Sequence, residues 1–63
     1  MTFKKQKKKL RTLNEKKFEL IVNGTYIGMY TDIDQISRDY NEYKVKSTQF
    51  QNGICKIYLT QWG

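Results

Sequence analysis

The stretch Phe18-Glu19-Leu20-Ile21-Val22-Asn23-Gly24-Thr25-Tyr26-Ile27-Gly28-Met29-Tyr30 decides the fold of this chain. At its centre lies Asn23-Gly24. A type I′ turn needs positive φ at both central positions, and Asn-Gly supplies it at the least steric cost. With the turn there, Val22 pairs with Thr25, Leu20 with Ile27 and Phe18 with Met29. Side chains alternate along a strand, so Phe18, Leu20, Val22, Ile27 and Met29 are expected on one apolar face. Glu19, Ile21, Tyr26, Gly28 and Tyr30 are expected on the other.

A second dipeptide, Asn52-Gly53, repeats the pattern near the end of the chain. It pairs Phe50 with Cys55, Thr48 with Ile57 and Lys46 with Leu59. Phe50, Cys55, Ile57 and Leu59 then point inward, and Gln49, Gln51, Lys56 and Tyr58 outward. Lys46 suits an inner face only close to a sheet edge. Residues 43–50 are rich in strand formers, which favours a strand. The alternative is a helix-turn-helix, with Lys44, Lys46, Ser47, Thr48 and Gln49 on a recognition helix.

Between the hairpins the spacing predicts one helix. Ile33, Ile36, Tyr40 and Tyr43 form a stripe at helical period. Thr31 or Asp32 can cap it, Thr31 and Asp34 standing at capping-box spacing. Asp34, Arg38, Asp39 and Glu42 lie off the stripe and are expected in solvent. The expected architecture is therefore an α+β domain over residues 18–63, ordered ββαββ, with an antiparallel sheet and one helix across its apolar face.

Residues 1–17 differ in kind. Lys4, Lys5, Lys7, Lys8, Lys9, Arg11, Lys16 and Lys17 stand against Glu15 alone, a net charge of +7 in a chain of +6. The remaining residues sum to −1. Closely spaced lysines repel and bury little, so this basic arm is expected to be disordered, or to become helical on binding, with Leu10, Leu13 and Lys17 at helical spacing. Removing residues 1–11 is expected to leave the domain folded. Clustered cations neutralise phosphates and release counterions, the sequence-independent source of nucleic-acid affinity. All eight are therefore candidate phosphate contacts. Tyr26, Tyr30, Lys56 and Tyr58, on the expected outer sheet face, are candidates for stacking on bases or for a protein interface. Half-buried tyrosine is also ordinary in strands.

The composition argues against an enzyme. Histidine is absent and Cys55 is the one cysteine, so neither a cysteine–histidine pair nor a zinc site of the usual kind is available. Asp32 and Asp34 read as first-turn carboxylates favoured by a helix dipole. No catalytic residue, metal, cofactor or small-molecule substrate is expected. A lone thiol fits a reducing cytosol. No apolar run approaches the ~20 residues that span a bilayer.

Residues 18–62 resemble, in style, small accessory proteins of bacteriophages and mobile elements. The resemblance lies in a short Lys-rich lead, the hairpin Glu19-Leu20-Ile21-Val22-Asn23-Gly24-Thr25-Tyr26-Ile27-Gly28, and then Asp32-Ile33-Asp34-Gln35-Ile36-Ser37. It transfers no functional residue. It implies a small DNA-binding regulator, or an inhibitor of a host enzyme that acts on nucleic acid, as anti-CRISPR proteins are. The partner expected is DNA or RNA, or a protein–nucleic acid complex, met in the host cytosol. The concentrated charge of the arm favours the first reading, and the near-neutral domain favours the second.

Overall fold

The computed structural model describes residues 1–13 and 17–61. Its elements run α1 (Phe3–Leu10), β1 (Lys17–Val22), β2 (Thr25–Tyr30), two 3₁₀ turns (Ile33–Gln35 and Arg38–Tyr40), β3 (Lys44–Gln51) and β4 (Ile54–Thr60). The class is α+β, but the order is αββββ rather than ββαββ, and the sheet is mixed. Strands lie in the order β2-β1-β4-β3, with β1 and β4 parallel at the centre and an antiparallel partner on each side. The centre is where the sequence alternates best. Phe18, Leu20 and Val22 from β1 and Cys55, Ile57 and Leu59 from β4 are all buried on one face.

Asn23-Gly24 connects β1 to β2 with φ of 51° and 81°, and Asn52-Gly53 connects β3 to β4 with φ of 53° and 76°. A Cβ at Gly24 or Gly53 would meet nothing within 4 Å, so the cost of substitution there is backbone strain alone. Gly24→Val and Gly53→Val are each expected to destabilise by roughly 1–2 kcal/mol. Denaturant midpoints equal to the parent's would show that neither turn needs the left-handed conformation.

Each hairpin contains a bulge, and the bulges re-sort the side chains. In the first, Ile21 faces Tyr26 but Leu20 faces Gly28, which leaves Ile27 as the extra residue. Beyond it the alternation inverts. Tyr30, expected outside, lies opposite Phe18 and packs against the core, whereas Ile27 and Met29, expected inside, are exposed. Glycine invites this: without a side chain Gly28 has nothing to pack, and the Tyr30 ring lies over it, its hydroxyl 3.5 Å from where a Cβ would stand. In the second hairpin Lys46 is the extra residue between the pairs Val45–Leu59 and Ser47–Tyr58. The bulge removes a lysine from the inner face and puts Val45 there instead. Phe50 faces buried Cys55 as expected from the turn, yet on the edge strand it is 55% exposed.

The expected helix over residues 33–43 is absent, and two 3₁₀ turns stand there. Asp32 accepts a hydrogen bond from the Asp34 N–H at 3.0 Å, and Ser37 accepts from the Asp39 N–H at 3.1 Å. Each cap starts a new turn, and between them Ile36 is extended (φ −76°, ψ 132°). Ser and Asp compete in this way with the helical ladder. Side chains three apart eclipse in 3₁₀ geometry, so Ile33 and Ile36 still reach the core together.

The α-helix is instead in the lysine-rich lead. Phe3, Gln6, Lys7 and Leu10, at spacings of three, one and three, form its buried face, with Phe3 0% exposed. Two of the helix's first N–H groups are satisfied by the chain it docks on, Phe3 donating to the Tyr43 carbonyl (2.8 Å) and Lys4 to that of Asn41 (3.0 Å). Lys7, Lys8 and Lys9 sit in the last turn, where cations complement the helix dipole. The expected free arm is thus, over Phe3–Leu10, part of the packed layer that covers the sheet.

Candidate nucleic-acid interface

Docking α1 by Phe3 and Leu10 forces its other side outward. Lys4, Lys5, Lys8 and Lys9 are all exposed, two pairs at i, i+4 on neighbouring ridges. Of the other expected phosphate contacts, Lys17 is exposed at the start of β1, and Lys16 lies outside the described residues. Arg11 is held by Asp34, its Nε and Nη2 donating to the same carboxylate oxygen at 2.9 and 2.5 Å. This is the single ion pair among the described residues.

Lys7 is different, being 6% exposed and turned inward. Its Nζ donates to the Ile36 carbonyl (3.2 Å) and to Asn41 Oδ1 (2.8 Å), and stands 5.0 Å from the centre of the Phe3 ring. Burial lowers its pKa from the usual lysine value, against the opposing pull of Asp34. Lys7 therefore ties α1 to the 3₁₀ turns. Beside it a cleft opens between α1 and residues 34–41, lined by Lys4, Lys8 and Arg11 from one segment and by Asp34, Arg38 and Asn41 from the other. Arg38 lines this cleft, although the sequence does not single it out. On the expected helix it was one solvated charge among four, and only the tertiary fold brings it to α1.

The far side of the sheet carries the other candidates. Tyr26 faces Ile21, which faces Tyr58, so the three make one row across β2, β1 and β4. Met29, Glu19 and Lys56 make the next row. Tyr26 is 54% exposed and Met29 47%, while Lys56 and Tyr58 are half-buried. Tyr30 is not part of this surface. Tyr30→Ala should accordingly cost on the order of 2 kcal/mol as a partial core truncation, and Tyr26→Ala about 0.5 kcal/mol. Denaturant unfolding of the two variants reads the difference, and equal losses would contradict the bulged register.

Among the described residues no three His, Cys, Asp or Glu side chains are grouped to hold a metal ion, and no helix is long and apolar enough to cross a membrane. Comparison of the chain with protein-family models, with curated proteins and with solved structures finds no match.

Proposed function

We propose that the protein is a small non-enzymatic accessory protein that binds nucleic acid by laying the outer side of α1 on a phosphate backbone. The observation that carries this reading is the exposure of Lys4, Lys5, Lys8 and Lys9 on a helix whose opposite side is locked into the core. Side chains projecting from a docked helix lose less freedom on binding than those of a disordered tail, so more of the counterion-release energy is available for affinity. Contacts from lysine to phosphate carry no sequence information, and the binding is accordingly of low sequence preference. The setting is the cytosol.

A second reading is favoured by the row Tyr26–Ile21–Tyr58 with exposed Met29 beside it. This apolar surface lies on the sheet face opposite α1, so the molecule presents cations on one side and an aromatic patch on the other. An adaptor or inhibitor of a nucleic-acid-processing enzyme, of the anti-CRISPR kind, uses such a pair of faces to engage protein and nucleic acid together.

Fluorescence anisotropy with labelled duplex and single-stranded oligonucleotides, over a salt series, tests the first reading. Affinity should fall steeply with salt and vary little with sequence, and a flat salt response rejects phosphate binding. Capture of a partner from lysate with and without nuclease separates the readings. A partner retained after nuclease treatment, and lost in Tyr26→Ala, supports the adaptor.

A further inference from the structure

The cations around α1 are not evenly spread. Lys4, Lys7 and Lys8 of the helix line the cleft together with Arg38 of the second 3₁₀ turn and Asn41 just after it. Arg11 and Asp34 also line the cleft, where they pair with each other. Lys4, Lys7, Lys8 and Arg38 have no acidic partner within ion-pair distance among the described residues. Lys7 donates two of its N–H groups to Ile36 and Asn41 and stands over the Phe3 ring, so what it brings to the cleft is chiefly its charge. Five cations and one carboxylate line the cleft, and the excess positive charge costs electrostatic energy that an anion seated there returns. The guanidinium of Arg38 adds a planar fork suited to two oxygens of one phosphate.

We propose that this cleft is a discrete phosphate site that grips one phosphoryl group, and that it is the anchor point at which a nucleic-acid backbone is registered on α1. The second clause rests on the nucleic-acid reading, whereas the first stands without it. Lys5 and Lys9 do not line the cleft. They contribute to the general field and not to the grip.

Two charge-matched variants separate grip from field. Lys4→Gln/Lys8→Gln removes two cations from the cleft wall, and Lys5→Gln/Lys9→Gln removes two from the neighbouring ridge. Arg38→Gln tests the opposite wall, and since Arg38 is exposed this change leaves the core untouched. Binding of inorganic phosphate is followed by NMR on the full chain, with sulfate and chloride as competitors, and oligonucleotide binding by anisotropy. The expected result is saturable phosphate binding with shifts centred on Lys7, Arg38 and Asn41. Lys4→Gln/Lys8→Gln and Arg38→Gln should each weaken both phosphate and oligonucleotide at least tenfold, and Lys5→Gln/Lys9→Gln should weaken phosphate less than twofold. If oligonucleotide binds but both lysine pairs weaken it equally, and phosphate never saturates, the cleft proposal is overturned and the nucleic-acid reading survives. If phosphate saturates at the cleft but no oligonucleotide binds, the site stands and the nucleic-acid reading falls. Binding of neither overturns both.

Discussion

Phe3→Ala is expected to leave the protein largely unfolded at room temperature. Phe3 has no accessible surface and belongs to the same cluster as Leu10, Leu20, Ile36 and Ile57. Truncating a buried phenylalanine costs about 3–5 kcal/mol, because contacts are lost and the cavity closes only partly. A single core in a chain this short rarely supplies more than about 3–5 kcal/mol in total. Loss and supply are of equal size, so little folded population remains. Removing residues 1–11 should do at least as much, since it takes away Phe3 and Leu10 together with the main-chain bonds to Asn41 and Tyr43. Circular dichroism against temperature reads both variants. Were either to melt with the parent, α1 would not be docked, and the basic segment would be the free arm that its charge suggests.

That contrast shows what was legible in the chain. Asn23-Gly24 and Asn52-Gly53 mark their turns because the backbone conformation needed there is one that few residue pairs accept. The alternation of Phe18, Leu20 and Val22, and of Cys55, Ile57 and Leu59, marks the two central strands because both lie where burial is greatest. The bulges were harder, although each left a trace: Gly28 inside a strand, and Lys46 on a face meant for apolar groups. A bulge is a choice between two registers of nearly equal local energy, and the packing of Tyr30 and Val45 decides it. The helix was hidden by its own lysines. Phe3 and Leu10 stand seven apart, with Gln6 and Lys7 between them on the same face, but the charge run suggested a chain that buries nothing. The cleft could not be read at all, because Arg38 and Asn41 reach Lys4 and Lys8 only through the path of the whole fold.

Replacing Lys4, Lys5, Lys8 and Lys9 together by Gln should abolish most nucleic-acid binding while the protein stays folded. All four side chains are exposed, so the core is untouched. Two like-charge pairs at i, i+4 are relieved, each worth about 0.2–0.5 kcal/mol. Against this, the favourable placing of Lys8 and Lys9 in the last turn is lost, at about 0.3–1 kcal/mol each. The net is a loss of roughly 0.5 kcal/mol, so the melting temperature should fall by only about 2–4 °C. Binding has no such compensation. Each phosphate contact contributes about 0.9 to the slope of log affinity against log salt on duplex DNA. With Lys4 and Lys8 sharing the phosphate of the cleft and Lys5 and Lys9 on one each, losing three flattens the slope by about 2.7. Over a fourfold rise in salt the parent then loses about fortyfold more affinity than the variant does. The two affinities converge at high salt, where the electrostatic contribution has gone in both. An unchanged slope in a variant that remains folded would mean that α1 does not touch the backbone. Binding would then have to be sought on the opposite side of the sheet, around Tyr26 and Tyr58.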